Sequence, residues 1–221
     1  KRLSNEQTAD ARSGVLQDLL KAQVHGYCFH RDAAAERELI KRCFDYRDYF
    51  VRASSLTRID PSLLAAVSMT ESRCGQFRRS FRSALGLMQV LKPPEGAVKR
   101  AREAFGVEIV DWEHNDFHNV VVGGFTIRVY QEWAHGDIVG ALLAYHNGPN
   151  AKRLKSSDSG WDSPLAEFQA RVAFEPCPKS ESQAECDHRR LGIIGYPLEV
   201  LSHGSALKRY ARRFNDTVEM T

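Results

Sequence analysis

The sequence has no apolar run long enough to cross a membrane and little excess charge of either sign. The longest nearly apolar stretch is Val120–Ile127, far short of the ~20 residues of a transmembrane helix. Lysine and arginine total 31 against 28 acidic residues, a net charge of +3. This mildly basic balance suits an anionic polymer but is too weak for nucleic-acid binding, which needs a stronger basic footprint. We therefore expect neither a membrane span nor a nucleic-acid partner.

The five cysteines form no pattern of metal ligands. No CxxC pair occurs and no Cys/His cluster has zinc spacing, so we expect no metal ion, and no motif indicates a cofactor. Cys177 and Cys186 flank a polar segment that has little to bury, and we predict that they form a disulfide in an oxidising compartment. For Cys28, Cys43 and Cys74, buried free thiols and a second bridge both remain open.

Leader, repeat and linker sequences are also lacking. The chain begins with Lys1 and carries no signal peptide, so we expect a processed or truncated product. A chain of 221 residues can remove about 70% of its unfolded surface from water. One domain with an extension, or two small lobes, is the expected organisation, and we expect a monomer.

Hydrophobic periodicity predicts a mainly α-helical fold. The predicted helices are 5–24, 32–53, 60–72, 93–105, 116–133, 138–145 and 206–214. Gly123 and Gly124 would each cost about 1 kcal/mol inside their helix relative to alanine, so we expect another helix to cross closely there. Residues 156–204 are dominated by Pro, Ser, Gly and Cys, and we expect them to be irregular.

Glu71 is the most informative residue of the chain. Asp60 and Pro61 form a helix start, a side-chain cap followed by a ring with a preset φ. Leu64, Val67 and Glu71 then fall at i, i+3 and i+7 on one helical face, near the C-terminal end of the helix dipole. Both settings favour the protonated acid and should raise its pKa, which suits a general acid that protonates a glycosidic oxygen. The alternative is a chance glutamate at the edge of a buried face.

Four sequence blocks in a fixed order carry a family resemblance. They are Glu71-Ser72 with Ser80 nine residues after the glutamate, Gly86-Leu87-Met88-Gln89, Asn119-Val120-Val121-Val122-Gly123, and Ala144-Tyr145-His146-Asn147-Gly148. In this order they resemble the soluble lytic transglycosylase family, with a return near the C-terminus at Tyr210. The family is lysozyme-like and cleaves the glycan chain of peptidoglycan.

The resemblance implies a division of the chain. Residues 1–55 would form an N-terminal helical extension and 56–155 a lysozyme-like catalytic core. Residues 156–205 would be an irregular, disulfide-closed insertion, and 206–221 a closing helix. It also implies peptidoglycan glycan strands as the partner, and a bacterial periplasm, cell envelope or secreted location.

The resemblance further assigns roles to single residues. Glu71 would be the sole general acid and base, and its carboxylate would close a 1,6-anhydro ring after the glycosidic bond breaks. Ser72 would orient that carboxylate, and the hydroxyl of Tyr145 would reach it. The residues that would contact substrate are Gly86, Leu87, Met88, Gln89, His146, Asn147 and Tyr210. The plainer alternatives are a small residue at a helix end for Ser72, a core filler for Met88 and a core tyrosine for Tyr145.

Departures from the family pattern leave the product and the preferred glycan open. His146 stands where the family has Asn, and Asn147 where it has Ala. No second Asp or Glu stands near Glu71 in the sequence. The arginines that follow it must point to solvent if its pKa is to stay raised; they are Arg73, Arg78, Arg79 and Arg82. A lysozyme-type muramidase on the same fold, tuned to modified glycan such as a deacetylated chain, is one alternative. A non-catalytic glycan-binding module is another.

Overall fold

Seven helices make up the described part of the computed structural model, which covers residues 33–80, 83–148 and 182–218. They are α1 (Ala33–Phe44), α2 (Arg47–Thr57), α3 (Pro61–Ser72), α4 (Glu95–Phe105), α5 (Asp116–Trp133), α6 (Ile138–Asn147) and α7 (Gln183–Val218). Within these ranges the only β-type pairing is a pair of isolated bridges, which join Leu85 to Arg79 and to Val90. The predicted mainly α fold is confirmed.

Several sequence predictions lie outside the described residues. They concern the helix at 5–24, Cys28, Arg82, Cys177 and the side chain of Cys186, so the proposed disulfide between the last two stays a prediction. None of the helices in the described ranges combines the length and apolarity needed to cross a bilayer.

Helix α3, which carries Glu71, forms as its capping residues predict. The Asp60 side chain accepts a hydrogen bond from the Ser62 N–H at 2.7 Å, and Pro61 occupies the first turn. The helix ends at Arg73, whose φ of 51° reverses the chain. Most of α3 is buried, because α1, α2, α5 and α7 all pack against it. Glu71 is therefore held on the central element of the fold.

The helical conformation is interrupted at Tyr46, so the single helix expected at 32–53 is in fact two helices. Tyr46 has φ −104° and ψ 11°, and its N–H bonds the Cys43 carbonyl in a turn. The break allows α2 to pack on α5 while α1 stays against α3. A disulfide links Cys43 of α1 to Cys74 just after α3, with Cα atoms 5.2 Å apart. Of the two alternatives left open for these cysteines, the structure therefore shows the disulfide and not free thiols.

Helix α5 is the second central element, and its paired glycines mark close approaches. A Cβ at Gly124 would lie 2.9 Å from Thr57 of α2 and 3.2 Å from Leu64 of α3, which confirms the expected helix crossing. A Cβ at Gly123 would lie 2.6 Å from the sulfur of Met88. Gly123 therefore makes room for the turn that contains Met88, whereas Gly124 makes room for neighbouring helices.

Helix α7 corrects the prediction for the C-terminal region. The expectation of irregular structure up to residue 205 is wrong from Gln183 onward, where one helix runs to Val218 with Pro197 inside it. Its buried residues, among them Tyr196 and Val200, pack on α3 and α6. This tertiary packing outweighs the unfavourable helix propensity of proline and glycine.

The part of α7 from Tyr196 to Lys208 runs antiparallel to α3. Lys208 bonds Asp60 at 2.9 Å, at the start of α3. Near the other end, His203 Nδ1 lies 3.1 Å from the Thr70 hydroxyl. Thr70 donates its only hydroxyl proton to the Ala66 carbonyl, so it accepts from His203, and Nδ1 carries the hydrogen.

Candidate active site

The Glu71 carboxyl is enclosed between α3 and α7. Glu71 is partly buried, and the Tyr196 hydroxyl donates a hydrogen bond to its Oε1 at 2.7 Å. Burial is the main cause that raises the pKa of Glu71, which reaches about 7, and the charge of Glu199 acts in the same direction. The hydrogen bond from Tyr196 acts against them and lowers it. The raised pKa that the sequence predicted for Glu71 is thus present in the structure.

Tyr196 is itself held in place by a second aromatic residue. Its ring is stacked on the ring of His146, with centroids 4.5 Å apart and planes at 28°. Tyr196 is only 3% exposed, whereas His146 is exposed. Burial, followed by the charge of Glu71, raises the pKa of Tyr196 well above its usual value. The tyrosine therefore remains a neutral donor toward Glu71.

A tight turn, residues 86–89, borders the site. Hydrogen bonds with the Asn119 side chain link it to α5. The Asn119 side chain accepts from the Met88 N–H at 2.8 Å and donates to the carbonyls of Leu85 and Trp112, each at 2.9 Å. Gly86 has φ +77°, and a Cβ there would lie 2.4 Å from the Asn119 amide. Only glycine fits this position without strain.

The side chains of this turn point into the protein, which corrects their predicted contact with sugar. Leu87 and Met88 are both 0% exposed, so the thioether fills the core against Gly123 and does not line a cleft. The Gln89 amide nitrogen donates to the carbonyls of Gly86 and Phe77, at 2.8 and 3.1 Å. Both of its hydrogens are used within the protein, and substrate would meet at most the amide oxygen.

Ser72 and Tyr145 position this turn and do not contact the Glu71 carboxyl. Ser72 Oγ donates to the Leu87 carbonyl at 2.6 Å, and the Tyr145 hydroxyl donates to the Met88 carbonyl at 2.7 Å. The hydrogen bond expected from Tyr145 to Glu71 is made by Tyr196 instead. Tyr145 still lies close enough for the charge of Glu71 to contribute, after burial, to raising its pKa.

The remaining predicted site residues are spread around this centre. The Asn147 amide bonds the Leu143 carbonyl of its own helix at 2.7 Å. Tyr210 lies against Phe44, with ring centroids 5.2 Å apart in an edge arrangement. Arg73 and Arg79 are exposed, as a raised pKa of Glu71 requires.

Sequence reasoning missed two residues of α7. Tyr196 is 125 positions from Glu71, and its region was expected to be irregular. Glu199 is the second carboxyl group that the sequence placed nowhere near Glu71. The spacing of Tyr196, Glu199 and His203 at i, i+3 and i+7 would have shown a polar stripe on one face, had a helix been predicted there.

No metal-binding cluster is present among the residues that the structure describes: no group of three His, Cys, Asp or Glu side chains is arranged to hold an ion. The groups that face the site are the carboxyls of Glu71 and Glu199, two tyrosine hydroxyls and two imidazoles. Such a set can donate and accept protons.

Comparison with known families places the chain. The model described as the Transglycosylase SLT domain matches residues 48–165, which is more than half of the chain, and the protein therefore belongs to this family. The match confirms the resemblance seen in the sequence and associates the protein with peptidoglycan cleavage by transglycosylases. No curated protein matches the chain. The matched residues include Glu71, the turn and Tyr145, but they end before α7.

Proposed function

We propose that this protein cleaves peptidoglycan glycan strands between N-acetylmuramic acid and N-acetylglucosamine, with Glu71 as the single general acid and base. The observation that carries the proposal is the enclosed Glu71 carboxyl, whose pKa is about 7 and whose Oε1 accepts from Tyr196. A general acid works best when its pKa lies near the working pH. Family membership supports the same chemistry.

The proposal gives separate tasks to the two oxygens of the carboxyl group. Oε1 accepts from Tyr196, and in this mechanism Oε2 carries the acidic proton. Oε2 donates this proton to the glycosidic oxygen while the bond from that oxygen to the anomeric carbon breaks. The ionised carboxylate keeps the hydrogen bond from Tyr196, which stabilises the charge that it has just gained.

The second step returns the proton to Glu71. The 6-hydroxyl of the cleaved sugar attacks its own anomeric carbon, and its proton passes to the carboxylate. A 1,6-anhydro ring forms, no water is consumed, and the enzyme is restored. A group whose pKa is about 7 can serve in both steps, since neither protonation state is strongly disfavoured near neutral pH.

A muramidase that delivers water to the same intermediate is the second candidate. The observation that favours it is Glu199, a carboxylate near enough to Glu71 for its charge to raise the pKa of that group. In glycosidases a second carboxylate acts as a nucleophile or as the base that activates water. The product therefore distinguishes the two candidates.

The test is to digest purified cell-wall sacculi and to identify the released glycan ends by mass spectrometry. We expect anhydro ends, whereas reducing ends would favour the muramidase. Glu71→Gln should keep the fold and lower turnover by roughly 10²-fold or more. Glu103→Gln, an exposed glutamate on α4, is the matched control and should retain full activity.

Three results would count against the proposal. Unchanged release by a folded Glu71→Gln protein would remove Glu71 as the acid. Equal losses in Glu71→Gln and Glu103→Gln would point to a general effect of removing charge. Binding of sacculi by the wild type without cleavage would favour the glycan-binding module.

We also propose that the protein acts outside the cytoplasm, in the cell envelope or as a secreted enzyme. The buried Cys43–Cys74 disulfide supports this, because disulfides persist mainly in oxidising compartments. The location also agrees with peptidoglycan as the substrate. The contacts of His146, Asn147 and Tyr210 with substrate remain part of the proposal.

A further inference from the structure

Glu199 has no role in the proposed chemistry, yet the structure places it on the active face of α7. Tyr196, Glu199 and His203 lie at i, i+3 and i+7, and so share one face of the helix. The first bonds Glu71 at 2.7 Å and the last lies 3.1 Å from Thr70. Thr70 and Glu71 are neighbours near the C-terminal end of α3. Glu199 lies between Tyr196 and His203 on α7, so it must face the same end of α3.

Glu199 is partly buried at this position, and its charge acts on both members of the Glu71–Tyr196 pair. It disfavours ionisation of Glu71 and of Tyr196 alike, which raises the pKa of each. A carboxylate on this stripe therefore acts on the acid through its charge.

We propose that Glu199 is a positioning residue for the general acid: from α7 it faces Glu71 and keeps that carboxyl in the protonated form that proton donation requires. The inference rests on the proposed function of Glu71. Tyr196 and Glu199 then have opposite effects from adjacent turns of one helix. The tyrosine stabilises the ionised carboxylate after proton transfer, and the glutamate stabilises the acid before it.

The other titratable groups that face this pair in the described structure are few. Helix α6 contributes Tyr145 and His146, and α7 contributes His203 in addition to Glu199. Tyr145 and Tyr196 are neutral in the working range because burial raises the pKa of each. A change in imidazole charge is the competing cause of any pH effect, so the experiment must control for His146.

The experiment compares the pH profile of kcat/KM in wild type, Glu199→Gln and Glu199→Asp. Activity falls at high pH as Glu71 loses its proton. Without the Glu199 charge this limb should move down by ~0.5–1 pH unit, since a neighbouring like charge favours the protonated acid. Glu199→Asp keeps the charge, so its high-pH limb should lie close to that of the wild type. Glu103→Gln on exposed α4 is the control for removing one negative charge and should leave the limb in place.

The same comparison in a His146→Asn background excludes the His146 imidazole as the source of the shift. If the limb moves equally far in that background, Glu199 is the cause. If it moves only when His146 is present, the proposal is overturned. An unmoved limb in Glu199→Gln overturns it as well, and so does a Glu199→Asp protein that shifts as far as the amide.

A second readout does not depend on catalysis. The carboxyl carbon of Glu71, assigned by comparison with Glu71→Gln, can be titrated by carbon-13 NMR in wild type and in Glu199→Gln. A lower midpoint in the variant supports the proposal even if sacculi are not cleaved, in which case only the proposed function fails. An identical midpoint overturns it even if the enzyme is active. Glu199→Ser serves in the same titration if the amide variant does not fold.

Discussion

At the scale of single residues, the bond from Tyr196 to Glu71 gives the first prediction. Tyr196→Phe keeps the stack on His146 and removes only the hydroxyl. Hydrogen bonds to charged groups contribute about 1.5–3 kcal/mol, so kcat should fall by roughly tenfold or more. The bond lowers the pKa of Glu71, so its loss should move the high-pH limb of activity upward, opposite to the effect of Glu199→Gln.

Tyr145→Phe is the matched control for this prediction. Its hydroxyl bonds the Met88 carbonyl and not the carboxyl, so the variant should lose some stability while the high-pH limb stays in place. If activity falls at the same high pH in Tyr196→Phe and Tyr145→Phe, the bond between Tyr196 and Glu71 has no role in proton transfer. Activity at a range of pH values and a thermal unfolding curve for each protein provide the measurement.

His146 gives the second prediction, on the choice of glycan. A neutral imidazole has one donor and one acceptor, whereas the amide that the family has at this position offers both kinds at once. His146→Asn should therefore shift preference toward ordinary N-acetylated chains. The measurement is the ratio of activities on acetylated and chemically deacetylated peptidoglycan at two pH values. An unchanged ratio in all conditions would show that His146 only supports Tyr196.

At the scale of secondary-structure elements, the disulfide between Cys43 and Cys74 joins α1 to the segment that follows α3, the helix that carries Glu71. The two cysteines are 31 residues apart in sequence, and a closed loop of this size contributes about 3–4 kcal/mol through restriction of the unfolded chain. The double variant Cys43→Ala/Cys74→Ala should lose stability of this order in urea unfolding. Glu71 should keep its raised pKa, because α7 and not α1 encloses it.

The control for this prediction replaces the other pair, as Cys177→Ser/Cys186→Ser. That variant retains the bond between Cys43 and Cys74, and non-reducing peptide mapping of the wild type shows whether the second pair is linked. Equal urea midpoints for wild type and Cys43→Ala/Cys74→Ala would show that the bridge restricts the unfolded chain less than its loop length implies.

The contrast between α3 and α7 shows which elements the sequence predicts. The start of α3 was predicted because its signals, Asp60 and Pro61, lie next to the turn that they stabilise. The part of α7 before residue 206 was missed because Pro197 and its glycines oppose a helix locally, whereas the helix predicted at 206–214 lies within α7. The contacts that stabilise it, such as Tyr196 to Glu71, come from the other end of the chain.

The candidate site divides in the same way. Glu71 was found because the burial of its helix face is readable from local periodicity. The buried position of Met88 was not predicted. It depends on contacts with Gly123 and Asn119 of α5, a helix that is distant in the sequence. The pairing of Cys43 with Cys74 was left open for the same reason, since sequence spacing does not show which distant residues approach one another.

At the scale of the whole molecule, Glu71 makes stability depend on pH. Its pKa is about 7 in the folded protein against a usual 4.5. A raised carboxyl pKa stabilises the fold fully below about pH 4.5, and this contribution is lost as pH rises to about 7. The pKa difference corresponds to about 3 kcal/mol.

Glu71→Gln should remove this dependence. The variant should match wild type near pH 4 and exceed its free energy of unfolding above pH 7, by up to about 3 kcal/mol. Urea unfolding of both proteins at pH 4, 6 and 8 measures the difference, with Glu103→Gln as the control. A constant difference across the three pH values would show that Glu71 titrates at its ordinary pKa in the folded state.

The antiparallel pairing of α3 and α7 also affects when the enzyme becomes active during its synthesis. A chain is synthesised from its N-terminus, so Glu71 emerges more than a hundred residues before Tyr196. Until α7 arrives, no residue from it covers Glu71, and a carboxyl in water keeps an ordinary glutamate pKa and is ionised at neutral pH. An unfinished chain would therefore lack the proton donor of the proposed mechanism, and we expect activity only once α7 has docked.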